Sequence, residues 1–151
     1  MNEISREQVE GAYAALATGD LNRIALFYSE DLSWVVPGNH PLAGLYRGRA
    51  AFLSMMEHAA KLTGGTFRME RQAVMTGDGF SSDVCRNTAR RLGTPEDSTS
   101  PYDWLDVTVF HLLRWEDGLI VEGHDGLFGD DATAFSQFWS PLRGDGSRWD
   151  D

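Results

Sequence analysis

The apolar residues change period at one point in the chain, and that change limits the fold more than any other feature. Up to Leu62 they recur at helical spacing; from Thr66 onward they alternate, as strands do. Ser5-Arg6-Glu7-Gln8 has the form of a capping box, and Val9, Tyr13 and Leu16 follow on one helical stripe. Gly19 ends that helix, and Asp20 caps a second, short one carrying Ile24, Phe27 and Tyr28. Residues 32–36, LSWVV, read as a strand stopped by Pro37-Gly38, and residues 37–47 read as a loop. A third helix over residues 48–62 carries Phe52, Met55, Met56 and Ala59, a stripe most simply explained as core.

Beyond Thr66, Phe67, Met69, Ala73 and Met75 form an alternating set, and Gly77-Asp78-Gly79 turns the chain. Further strands are expected over residues 80–92, 102–115 and 119–128, with a loop at 93–101. Asp130 or Asp131 caps a last short helix carrying Phe135, Phe138 and Trp139. Helices grouped first and antiparallel strands later define an α+β fold: a strongly curved, mostly antiparallel sheet wrapped over three helices, with a short C-terminal helix. The 151 residues suit one domain, residues 1–142. The Gly-rich, acidic stretch 143–151 is expected to fray.

The net charge of −10 argues against nucleic acid or an anionic membrane as partner, since both require basic patches. Cys85 is alone, so no intrachain disulfide forms and no CxxC pair is present. No leader pattern or membrane-length apolar run appears, so a soluble, cytoplasmic protein is expected. The chain lacks a phosphate-binding glycine motif, HExxH and GxSxG, and His40, His58, His111 and His124 are scattered; neither cofactor nor metal is expected.

Chemistry concentrates in VFHLLRWEDGLIVEGHD, residues 109–125, which puts titratable groups into an apolar hairpin. Asp117-Gly118 is the turn. A two-residue turn pairs Glu116 with Leu119 and sets His111 opposite His124. A three-residue turn with a Gly118 bulge pairs Trp115 with Leu119 and brings His111 and Asp125 to one face. One residue of slip exchanges the faces, so both registers stand open. A structural reading is available for each residue: a core histidine for His111, a turn cap for Asp125, a solvent face for Glu122 and His124.

WVVPGNHPLAGLYRGRAAF, LTGGTF, VFHLLRWEDGLIVE and AFSQFW, taken in order, resemble the SnoaL-like branch of the nuclear-transport-factor-2-like superfamily over about residues 5–140. The resemblance implies a conical α+β barrel around a pocket, dimerising through its outer sheet face. In similar cyclases a His on the penultimate strand and an Asp on the last face the pocket. By that likeness Asp125 is the general base, His111 its acid partner, and Glu122 a competing acid. Tyr13, Trp34, Phe52 and Trp104 are the expected ring-rich walls for a hydrophobic small molecule. The function implied is cofactor-free proton transfer of the polyketide cyclase or isomerase type. The alternatives are a binding domain of the same fold without chemistry, or a dimerising scaffold. Asp83, Arg86 and Asp106 suggest an epoxide-hydrolase set, but strand parity puts Asp83 and Arg86 on opposite faces.

Overall fold

In the computed structural model, which describes residues 3–149, the chain orders as helix, helix, two strands, helix, four strands, helix. The first helix, α1 (Arg6–Thr18), starts at the expected capping box: Ser5 Oγ accepts from Gln8 N at 3.1 Å, and Gln8 Oε1 accepts from Ser5 N at 2.9 Å. Gly19, at φ 66°, ends it in the left-handed region. The second helix, α2 (Leu21–Ile24), is a single turn capped by Asp20. Tyr28, expected on that helix, instead opens strand β1 (Tyr28–Val36), where it is fully buried. Residues 37–47 are not all loop. Their last part forms β2 (Gly44–Arg47), an edge strand that pairs antiparallel with β1. The Pro and Gly content of the stretch masked a four-residue strand that folds back on β1 across residues 37–43.

Helix α3 (Arg49–Leu62) leads into β3 (Arg68–Gly77), β4 (Phe80–Arg90), β5 (Trp104–Glu116) and β6 (Leu119–Gly126), then α4 (Asp130–Phe138). The sheet order is β2-β1-β6-β5-β4-β3. Only the β1–β6 pair is parallel; the other pairs are antiparallel. The sheet stays open, with β2 and β3 at its edges.

Alternation decides the inner face. On β5, Leu105, Val107, Val109, His111, Leu113 and Trp115 are buried; on β4, Ser81, Asp83, Cys85, Asn87 and Ala89 are. Burying apolar side chains of this size stabilises by about 1.5–3 kcal/mol each. Helix α4 is tied to β5 through Asp131, whose Oδ2 accepts from Thr108 N at 3.0 Å. On β3 the simple alternation breaks. Arg71 pairs with Cys85 but Ala73 with Val84, so Gln72 is an extra residue, a β-bulge. Met69 and Arg71 therefore point inward with their partners, whereas Ala73, expected on the same face as Met69, lies opposite outward-facing Val84.

Of the stretch expected to fray, residues 143–149 are described and residues 150–151 lie outside the described residues. Leu142 bridges Arg148, and Arg143 N donates to Ser147 O at 2.6 Å. The Trp149 ring receives the guanidinium groups of Arg91 and Arg143 at 4.5 and 4.4 Å from its centroid. Among the described residues no helix is long and apolar enough to cross a membrane.

Candidate active site

The inner sheet face and the helices enclose a cavity of about 1060 Å³. The stripe Phe52, Met55, Met56 and Ala59 of α3 lines it, so these residues face a void rather than solid core; of the four only Phe52 is fully buried. Trp34 and Phe52 stack at 4.5 Å between centroids and form one apolar wall.

The β5–β6 hairpin adopts neither register offered by the sequence alone. Asp117 and Gly118 have φ values of 50° and 80°, which makes a two-residue turn, and Glu116 pairs with Leu119. Trp115 then pairs with Ile120, but Arg114 pairs with Glu122. Val121 is the extra residue. This bulge cancels the offset, so His111 faces Asp125 rather than His124.

A hydrogen-bonded network follows from that alignment. Asp83, directly across from His111 on β4, is fully buried. His111 Nδ1 lies 2.8 Å from Asp83 Oδ1. Tyr13, reaching in from α1, donates its hydroxyl to Asp83 Oδ2 at 2.8 Å, and Cys85 Sγ donates to Asp83 Oδ1 at 3.2 Å. On the other side, His111 Nε2 stands 3.5 Å from Asp125 Oδ1, which also accepts from Trp34 Nε1 at 3.2 Å. Four strands and one helix thus contribute to the network around one imidazole.

Electrostatics separate the two acids. Burial alone would push the Asp83 carboxyl up, but hydrogen bonds from His111, Tyr13 and Cys85 outweigh it and hold the group below the ordinary carboxylate range. Burial likewise disfavours a charged His111; the hydrogen bond to Asp83 and the nearby carboxylates reverse this and raise it above a free histidine. At Asp125 burial prevails over His111 and Trp34, so its carboxyl is raised. The arrangement favours an Asp83 carboxylate, a protonated His111, and an Asp125 that ionises late. Two acids with opposed shifts around one imidazole are an arrangement that acid/base chemistry can use.

Of the residues singled out from sequence, His111, Asp125, Tyr13, Trp34 and Phe52 line the cavity. Trp104 does not. It lies under the Arg90 guanidinium, 5.0 Å away, at the far end of β5. Glu122 is also displaced: the bulge leaves it opposite Arg114, whose Nη2 donates to it at 3.0 Å away from the cavity. Glu122 is therefore no substitute for Asp125. Arg86 pairs with Asp106 on the outer face at 2.8 Å, as parity required, while Asp83 turns inward.

Sequence reading weighed Asp83 only beside Arg86 and Asp106 and set it aside, and it did not single out Cys85 behind the imidazole or Arg71 and Asn87 on the cavity wall. Their signal was parity: on β4, Asp83, Cys85 and Asn87 alternate in step with the small apolar Ala89. Among the described residues, Asp83, Cys85 and His111 are the group with donors close enough for an ion, within 4.8 Å of one another. Those donors already bond to each other through Asp83 Oδ1.

Comparison with known proteins agrees with this architecture. An uncharacterized protein of Mycobacterium tuberculosis is 33% identical over 86 residues, covering 56% of this chain and 66% of its own length. The structure of Bal32a, from a soil-derived mobile gene cassette, superposes with a TM-score of 0.76 at 29% identity, over 88% of this chain and 94% of that one. TerC, co-crystallized with polyporic acid, has a TM-score of 0.67 at 19% identity, over 87% and 95% of the two chains, and shares the fold. The family model for the SnoaL-like domain matches residues 9–123, and the chain belongs to that family.

Proposed function

We propose that the chain is a cofactor-free acid/base enzyme that moves a proton on a hydrophobic small molecule held in the cavity, in a cyclase- or isomerase-type reaction. The observation that carries this reading is the placement of Asp125 on the cavity wall, 3.5 Å from the imidazole of His111. Asp125, ionised, takes a proton from carbon next to a guest carbonyl. The negative charge that develops on the carbonyl oxygen is met by the His111 Nε2 proton. Return of a proton to a different carbon completes an isomerisation; in a cyclisation the enolate carbon instead attacks a second carbonyl carbon of the guest, the C=O π bond opens, and the new alkoxide takes the proton. Asp83 is a positioning residue: it holds Nδ1–H, which keeps the imidazole charged and oriented. The Trp34 N–H fixes the Asp125 carboxylate.

The raised Asp125 suits this task, because a base is most effective when its pKa approaches the working pH. General acid/base contributions of roughly 10²–10⁴-fold are expected. The test needs no native substrate. In D2O the protein should catalyse exchange of the α-protons of 2-tetralone, read by ¹H NMR. Asp125→Asn should reduce the rate by about 100-fold or more, and His111→Ala should also reduce it. Exchange that is no faster than in buffer, or that survives in Asp125→Asn, refutes the assignment.

A binding domain without turnover is the second reading. It is favoured by the burial of His111, which is only 4% exposed and bonded on the side away from Asp125. Native mass spectrometry of protein from cells would then show a guest that dissociates chemically unchanged.

A further inference from the structure

The cavity wall carries a second polar feature that the proton-transfer network does not use. Arg71 on β3 and Asn87 on β4 both line the cavity. Asn87 is 5% exposed, and its Oδ1 is buried without a hydrogen-bond partner. Arg71 Nε is buried and unpartnered as well. Neither side chain forms a hydrogen bond or ion pair with a described residue. Leaving such groups buried and unmatched is costly, and natural interiors rarely do so without a reason.

The backbone places the two together. Arg71 pairs with Cys85, and Met69 pairs with Asn87, so Arg71 and Asn87 lie on adjacent inward rungs of one strand pair. Such diagonal neighbours stand roughly 7–8 Å apart, close enough for one guest substituent to touch both. The Gln72 bulge directly follows Arg71 and ends its run of parity. The guanidinium lies over the Tyr13 ring, 4.5 Å from its centroid, which fixes the charge beside the acid/base network without neutralising it.

No lining carboxylate takes the role of counter-ion. Glu10 bonds to Arg6 at 2.9 Å, Glu57 approaches Lys61 at 3.3 Å, and Asp125 is engaged by His111 and Trp34. A positive group on an apolar wall, with its fork of donors unused, matches a planar oxyanion. The Asn87 amide can turn either its nitrogen or its oxygen to the same substituent.

We infer that Arg71 and Asn87 form a carboxylate-recognition subsite, so that the guest is an amphipathic acid: a flat apolar body against Trp34 and Phe52, and a carboxylate at Arg71. The inference deepens the reading of the cavity as a guest site; it does not depend on the proton-transfer chemistry. Isothermal calorimetry with 2-naphthoate and its neutral analogue 2-naphthamide tests it. Wild-type protein should bind the carboxylate roughly 10- to 100-fold more tightly, the range of one charge-assisted hydrogen bond. Arg71→Met should abolish that preference while leaving 2-naphthamide affinity within about 3-fold. Arg71→Lys, which keeps the charge, should retain part of the preference and serves if Arg71→Met does not fold. Asn87→Leu should weaken the carboxylate selectively.

Equal affinity for the two probes in wild-type protein, or an equal loss of both in the Arg71 variants, overturns the subsite. In that case binding of 2-naphthamide still leaves the proposed cavity chemistry standing. If neither probe binds, the subsite and the cavity as a guest site fall together.

Discussion

Gly123→Ala separates local propensity from tertiary packing with opposite signs. Gly123 lies in β6, where alanine would ordinarily stabilise the chain by about 0.5–1 kcal/mol. Its Cα is paired with that of Trp34, and the indole covers the position where a side chain would begin. A Cβ there would meet Trp34 Cε3 at 2.1 Å and Cζ3 at 2.2 Å. Ordinary contact begins at 3.4 Å, so the ring must retreat by 3.4 − 2.1 = 1.3 Å. Trp34 is 3% exposed and stacked on Phe52, itself 2% exposed, so the shift disturbs a packed wall. Overpacking of this kind costs about 1–3 kcal/mol, and a rigid indole belongs at the upper end. The net expectation is a loss of about 2 kcal/mol. In a domain of this size that lowers Tm by about 4–8 °C. Urea denaturation followed by tryptophan fluorescence measures it. The displaced indole also loses its hydrogen bond to Asp125, so that carboxyl should titrate still higher, visible by ¹³C NMR. An alanine variant as stable as wild type, with Asp125 unchanged, would refute the reasoning.

Asp125→Asn should raise stability near neutral pH. A carboxyl whose folded pKa is raised opposes folding once pH exceeds the unfolded value of about 4, so the variant's advantage should grow with pH above that point and vanish below it in melts run from pH 3 to 8. His111 has the opposite sign: its folded pKa is raised, so its stabilisation is whole below about 6.5 and is lost as pH rises through the folded value. Asp83→Asn removes the hydrogen bond that helps keep the imidazole charged, and the alkaline limb of the tetralone exchange profile should move to lower pH. An unchanged limb would show that Asp83 does not position His111. Asp106→Asn breaks the outer-face pair with Arg86, but the two side chains are 40% and 48% exposed; the cost should stay below about 1 kcal/mol by urea titration.

Much of this molecule was legible because its elements announce themselves locally. The Ser5 capping box, the helical stripe of α3 and the Asp117-Gly118 turn each carry their own chemistry in a few residues. The pairing of His111 with Asp125 was reached through family resemblance, whereas the residues alone left two registers open. The actual register is a hybrid: the two-residue turn of one and the facing pair of the other, reconciled at Val121. Nothing about Val121 marks it as a bulge, since valine is an ordinary strand residue. Asp83 was weighed as a partner for Arg86 and set aside by parity; the same parity argument, followed inward, leads to His111. Trp104 failed as a wall because β5 is 13 residues long and its first residue lies beyond the cavity. The β2 edge strand is four residues long and hidden in a Pro- and Gly-rich stretch, and the contact of Trp149 with Arg91 joins residues distant in sequence, which no local pattern records.

The extra residue at Val121 has a bearing on how the family can diversify. Drawing Val121 back into the ladder, opposite Arg114, would hand the place opposite His111 to His124 and turn the carboxylate outward, while every side chain kept its identity. A relative without the extra residue would keep its acid opposite the imidazole one position earlier in sequence, so an alignment that forces this strand to be gapless would match the wrong columns and misassign the acid. What the strand does with its extra residue, as much as which residues it carries, decides which side chain meets the imidazole.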